Sequence, residues 1–216
     1  MSGTFPTTIF PRSFQVINNR PTLINQSVSG KRVTRKYGSQ YWTLEVGLPP
    51  LNKNDGLGVY GFLQQQQGSF EKFSFTHPDD NRGTVGGNTA KAASGLPVQE
   101  ANVNGAHSAG DSTIDVDFNF VASSDSTDSV FKRGDVIKFA NHDKVYMIKS
   151  DVDVPTSGGQ VKSLSIEPPL IAALVNDESV VVNTPTYSVY LIGDVSYTTD
   201  ASGLYYYNFS LRECIE

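Results

Sequence analysis

The chain contains a single cysteine, Cys214, in 216 residues, which excludes an intrachain disulfide and a cysteine-based zinc site. Histidine is scarce too: His77, His107 and His142 are the only three, and none falls in a His-x-x-x-His or His-Glu-x-x-His pattern. Nowhere do about 18 apolar residues run together, so no membrane-spanning helix is expected. Residues 1–10 lack a basic stretch followed by an apolar run, and the expectation is a protein made and folded in a cytoplasm. Charge is sparse, at 18% Asp, Glu, Lys and Arg against the usual ~25%. Much of the surface is then uncharged Ser, Thr, Asn, Gln and Gly, as in a subunit whose sides are covered by neighbours, because interface cores are depleted in charge. The balance is acidic, at −5, which speaks against wrapping nucleic acid, a task that needs a basic face.

Hydrophobic residues reach 38%, and the 19 glycines bring the apolar set close to the globular average of roughly 45–50%. The length suits one large domain or two small ones. Residues 1–13, with Pro6 and Pro11, read as an extended arm in which Phe5 and Phe10 are anchors for a neighbour. Strands are predicted at 14–17, 28–37 and 41–46, the first followed by the reversal Asn18-Asn19-Arg20-Pro21. Pro49-Pro50 ends the third, because neither residue can donate to a ladder. Residues 54–67 read as the one helix, capped by Asn54 or Asp55, striped by Tyr60, Phe62 and Leu63, and stopped at Gly68. Its Gly56, Gly58 and Gly61 each cost roughly 1 kcal/mol relative to Ala.

A strand at 69–76 presents Phe70, Phe73 and Phe75, and a loop follows over 77–88. Val98 and Val103 suggest one further strand. Short strands are then expected at 113–120, 136–139, 144–150, 161–166 and 179–182. Turns fall at Gly134-Asp135, Asn141-His142-Asp143 and Ser157-Gly158-Gly159, with a helical turn after Pro168-Pro169. Strands at this spacing suggest a small barrel or sandwich. Alternating apolar residues at 187–197 and 204–214 read as a hairpin closed by residues 199–203. The fold class expected is all-β, mainly antiparallel, with one short helix. A discontinuous β-sandwich platform (14–84 and 184–216) carries an inserted small β-barrel (85–183), preceded by the arm (1–13).

Catalytic chemistry finds no footing. His142-Asp143 lies in a turn where Asn-His-Asp is ordinary, and His107 with Asp111 and nearby serines is a triad only by proximity in sequence. No Gly-x-Ser-x-Gly elbow occurs. Asp111, Asp115 and Asp117 suggest calcium, but Ile114, Val116 and Phe118 alternate with them, the pattern of a half-buried strand with an acidic outer face. Asp125 and Asp128 are loop solvation. Gly83, Gly86 and Gly87 are not followed by Gly-Lys-Ser/Thr and form no phosphate cradle. Gln64–Gln67 reads as a polar helix end, and Tyr206 points away from Tyr205 and Tyr207. The chain is therefore read as a non-enzyme with no cofactor and no metal. One cluster stands out as a candidate contact with an acidic neighbour: Lys31, Arg32, Arg35 and Lys36, otherwise a solvated strand end.

Two stretches carry a resemblance. Residues 41–48, a helix, and Gly68-Ser69-Phe70-Glu71-Lys72-Phe73-Ser74-Phe75 are similar to the N-terminal platform of bacteriophage distal tail proteins. Gly134-Asp135-Val136-Ile137-Lys138-Phe139, Lys144-Val145-Tyr146-Met147-Ile148 and Ser165-Ile166-Glu167-Pro168-Pro169-Leu170 resemble a small β-barrel module of phage virion proteins. Together they cover about half the chain. The resemblance implies a virion structural protein that closes into a ring, commonly hexameric, stacked on the end of the tail tube. It implies as partners copies of itself, the tail tube protein, the tail hub or other baseplate proteins and the tape-measure protein, and no catalytic residues. A tube initiator and a terminator or connector ring are neighbouring alternatives, and a carbohydrate-binding module for host attachment is the rival of another class. A glycan hydrolase needs two convergent carboxylates, to which nothing in the sequence points.

Overall fold

The computed structural model describes residues 3–78, 101–118, 129–153, 161–182 and 184–215. Among these, sixteen strands and one helix follow in chain order: β1 (Ser13–Asn19), β2 (Thr22–Gln26), β3 (Arg32–Lys36), β4 (Tyr41–Gly47), α1 (Lys53–Gln65), β5 (Phe73–Thr76), β6 (Ala101–Val103), β7 (Thr113–Phe118), β8 (Ser129–Phe131), β9 (Val136–Phe139), β10 (Val145–Ile148), β11 (Val152–Asp153), β12 (Val161–Glu167), β13 (Val180–Val181), β14 (Thr186–Ile192), β15 (Tyr197–Thr199) and β16 (Tyr205–Glu213). The protein is all-β and mainly antiparallel with a single helix. It divides into two compact units, Met1–Phe75 with Ser188–Glu216, and Thr76–Tyr187.

The first unit is built on a sheet in the order β1-β4-β16-β14-β5, with β15 also paired to β16. Its interior strand β4 reads Tyr-Trp-Thr-Leu-Glu-Val-Gly, and the alternation buries Trp42, Leu44 and Val46 while Glu45 faces out. Strand β16 does the same with Tyr207, Phe209 and Leu211, and sets Leu211 opposite Leu44. The expected hairpin of two long strands is interrupted. Gly193, at φ 77°, leads the chain out of β14, and β15 resumes the pairing farther along β16.

Helix α1 starts one residue earlier than the sequence suggests and ends two residues sooner, at Gln65. Asn52, not Asn54 or Asp55, is the cap, and its side-chain oxygen accepts the Asp55 N–H at 3.0 Å. The buried stripe is Gly56, Val59 and Leu63 instead of Tyr60, Phe62 and Leu63. Gly56 lies so near β16 that a Cβ there would sit 2.7 Å from Tyr205 Cβ, whereas Gly58 and Gly61 have open space. The polar helix end is not wholly in water: Gln66 is fully buried and its amide donates to the Phe62 carbonyl at 2.9 Å. Strand β5 begins only at Phe73, so Phe70 stands outside it, 79% exposed.

The second unit is a sheet in the order β13-β9-β10-β12-β7-β6 that nearly closes into a barrel. Its ends meet through the Asn102–Ser179 bridge and through Val103 N–H donating to Glu178 O at 2.9 Å. Closure hides edges that would otherwise template aggregation. Ile114, Val116, Ile137, Phe139, Tyr146 and Ile166 fill the interior. Small strands β8 and β11 pair with each other. No helical turn follows Pro168-Pro169. That segment instead pairs its backbone with residues 107–111: Leu170 N–H donates to Asp111 O and Leu174 N–H to His107 O. The expected strand at Val98, the Gly83–Gly87 loop, Asp125, Asp128 and the Ser157–Gly159 turn lie outside the described residues, as do the platform–barrel boundaries at 84/85 and 183.

Candidate assembly interface

The reversal at Asn18–Pro21 does not lead into one strand. It leads into a hairpin, β2 and β3, that pairs with no other strand among the described residues. Its register sets Leu23 opposite Arg35, Ile24 opposite Thr34, Asn25 opposite Val33 and Gln26 opposite Arg32. Residues 27–31 close it: Ser27 N–H donates to Lys31 O, Gly30 N–H donates to Ser27 O, and Gly30 adopts φ 79°, a left-handed conformation that favours glycine. The sequence signal for β2 is only Leu23-Ile24 ahead of Ser27-Val28-Ser29-Gly30, too short for periodicity to separate strand from loop.

Every residue of β2 and β3 is exposed. Because cross-strand partners share a face, Leu23, Val33, Arg35 and Tyr37 lie on one side and Ile24, Arg32, Thr34 and Lys36 on the other. Leu23 and Val33 are each 58% exposed, Ile24 62% and Tyr37 65%, with Val28 wholly exposed at the tip. Burying such a side chain is worth about 1.5–3 kcal/mol, so several kcal/mol of association energy stand unused on this element. A lone two-stranded hairpin is also marginal in water, which makes it a part that gains from being covered. Single exposed apolar residues need no explanation, whereas five on a projecting 16-residue segment do.

All four predicted cluster residues lie here. Arg32, Arg35 and Lys36 are on β3 and Lys31 is in the loop, where its backbone N–H donates to Ser27 Oγ at 3.2 Å; among the described residues no acidic side chain pairs with any of the four. The foot of the hairpin, at Pro21 and Gly38, borders a groove also lined by Tyr41, Tyr190, Arg212 and Cys214. Arg212 stacks its guanidinium 3.8 Å over the Tyr41 ring there.

The two arm residues part company. Phe5 is not available to a neighbour: it is 4% exposed, with its ring 5.4 Å from Phe75, 5.8 Å from Phe209 and 5.9 Å from Phe62. Backbone bonds fasten this stretch alongside β5, from Phe5 N–H to Ser74 O at 2.9 Å and from Ser74 N–H to Gly3 O at 3.0 Å. The arm thus adds itself to its own sheet, because β5 is an end strand with bonding capacity to spare. Phe10 remains 69% exposed.

The residues weighed for chemistry are engaged in the barrel's own architecture. His107 Nε2 accepts the Asp115 N–H at 3.2 Å, with Nδ1 3.9 Å from Asp111. Asp111 itself accepts the Ser108 N–H, a turn contact. His142 is no exposed turn residue: it is 5% exposed, with Nδ1 3.0 Å from the Tyr146 hydroxyl. His77 packs its ring on Tyr187 at 5.9 Å. Ile114 and Val116 are buried while Asp115 and Asp117 flank them half-buried, and Asp115 accepts from Ser163 Oγ at 2.6 Å. Among the described residues no group of three or more His, Cys, Asp or Glu is arranged to hold a metal ion. No helix among them is long and apolar enough to cross a membrane.

Comparison with known protein families and with curated proteins yields no match to this chain.

Proposed function

We propose that this protein is a structural, self-associating component of a bacteriophage tail tip or baseplate, closing into a ring that stacks on the end of the tail tube. The observation that carries self-association is the hairpin β2–β3, which displays Leu23, Ile24, Val33 and Tyr37 to solvent together with Lys31, Arg32, Arg35 and Lys36. An element of this kind reaches stability by being covered, and in a ring each copy covers the next. The assignment to a phage tail rests on the resemblance of residues 41–48, 68–75, 134–139, 144–148 and 165–170 to distal tail and virion proteins. In this reading the protein needs neither nucleotide nor metal, and its partners are its own copies and the adjoining tail rings.

Native mass spectrometry and sedimentation of the purified chain test the reading. A discrete closed oligomer, seen as rings by negative-stain microscopy, is the expected result. A chain that stays monomeric at high concentration and never enters a particle overturns it. A monomer that binds a glycan array replaces it with the attachment-module reading.

A further inference from the structure

Charge is distributed along this chain in two blocks. The first 44 residues hold six basic side chains, Arg12, Arg20, Lys31, Arg32, Arg35 and Lys36, and no Asp or Glu. Residues 76–187, the second unit, hold 15 acidic and 8 basic side chains. Four of the six early cations are concentrated on the exposed hairpin, beside its uncovered apolar residues.

We infer that the hairpin β2–β3 of one copy docks on the second unit of a neighbouring copy, at the surface that carries Asp111, Val175 and Asp177. The inference rests on the self-association proposed above and specifies which surfaces meet. A two-fold contact of hairpin on hairpin would set Lys31, Arg32, Arg35 and Lys36 against their own duplicates, and like charges pressed together oppose association. A heterologous contact sets them against opposite charge. The second unit also offers apolar surface next to acid: Val175 is 59% exposed, two residues from the exposed Asp177. Asp111 lies half-exposed on the segment bonded to this one through the His107–Leu174 bridge. The donor is apolar and basic, and the acceptor is apolar and acidic. Such head-to-tail contacts generate rings when the rotation closes. Nucleic acid is the competing ligand for a basic hairpin, but the net charge of the chain is −5, which opposes the approach of a polyanion.

The experiment uses the full chain, treated with nuclease. Equal amounts of unlabelled and nitrogen-15-labelled protein are mixed, coupled with a carbodiimide and mapped by mass spectrometry. Expected are mixed-isotope links from Lys31 or Lys36 to Asp111 or Asp177. The quadruple variant Lys31→Glu, Arg32→Glu, Arg35→Glu, Lys36→Glu keeps its thermal melting point, because these side chains are exposed. It loses at least ~100-fold in association constant. Raising salt from ~0.1 M to ~1 M, which shortens the Debye length from about 10 Å to about 3 Å, weakens assembly of the parent chain. Mixed-isotope links confined to other regions, or a folded quadruple variant that assembles like the parent, overturn the inference while leaving self-association standing. Assembly abolished by nuclease treatment overturns it in favour of nucleic acid. A chain that never associates removes the proposed function itself.

Discussion

The Tyr207 hydroxyl, on β16, donates to the backbone carbonyl of Gly56 in α1 at 2.7 Å, across 151 residues of sequence. This bond and the Gly56–Tyr205 approach hold the helix to the sheet of the first unit. A side chain at position 56 would meet the Cβ and Cγ of Tyr205 at 2.7 Å. Gly56 is thus a packing residue, and its cost as a helix weakener is offset by the closeness it permits.

Two glycines two residues apart therefore respond in opposite directions to alanine. Gly58→Ala enters open space and stabilises by up to ~1 kcal/mol through helix propensity. Gly56→Ala gains the same propensity but forces β16 and α1 apart, for a net loss of about 1–2 kcal/mol. Urea unfolding of both variants measures the difference.

High pH loosens the same region. Burial, then the neighbouring Tyr197, Tyr205 and Tyr60, push the Tyr207 hydroxyl up to about 12. Below pH ~10 both the folded and the unfolded chain keep this proton, and its contribution is intact. Between ~10 and ~12 only the unfolded chain releases it, so stability falls as pH rises through that window. Unfolding midpoints measured from pH 8 to 12 should decline less steeply in Tyr207→Phe than in the parent.

Phe5 and Phe10 provide a test of the arm. Phe5→Ala empties a site surrounded by Phe62, Phe75 and Phe209 and costs about 3–5 kcal/mol. Phe10→Ala, at a ring 69% exposed, stays within about 0.5 kcal/mol. Calorimetric melting separates the two, and equal effects would contradict the packing described for Phe5.

A buried polar relay in the barrel makes a further prediction. The Ala173 carbonyl, 3.4 Å from His142 Nε2, can only accept, so the ring proton lies on Nε2. Nδ1 then accepts from the Tyr146 hydroxyl, whose oxygen accepts the Ile171 N–H at 3.3 Å. Tyr146→Phe removes the shared atom and leaves the buried His142 Nδ1 and the part-buried Ile171 N–H without it, for a loss of about 1–3 kcal/mol. Chemical denaturation of the variant checks the magnitude, and a neutral result would mean the relay is not formed.

How much of this was legible varied with how local the signal is. Strand β9 stands at Val136–Phe139 as read from its residues, because the β-branched pair Val136-Ile137 and the flanking Gly134-Asp135 turn act within a few positions. The expected strands at 41–46 and 161–166 are each one residue short of β4 and β12. The helix was legible, but its cap was not, since Asn52, Asn54 and Asp55 are all competent caps and only backbone geometry selects among them. The basic cluster was legible as a cluster. Its apolar companions were not, because Leu23 and Ile24 carry no sign in sequence of whether they face a core or water.

The amino-acid order alone determined the β class, the place of the helix and the alternation that divides each long strand into a buried and an open side, all consequences of short-range backbone and side-chain sterics. Only the tertiary structure decided that Phe5 is buried and Phe10 is not, that Gly56 is a contact and Gly58 a gap, and that the hairpin β2–β3 remains uncovered. Burial is a property of what arrives from elsewhere in the chain. Phe209 reaches Phe5 and Tyr207 reaches Gly56 only after the sheet has formed, so no window of neighbouring residues contains the answer.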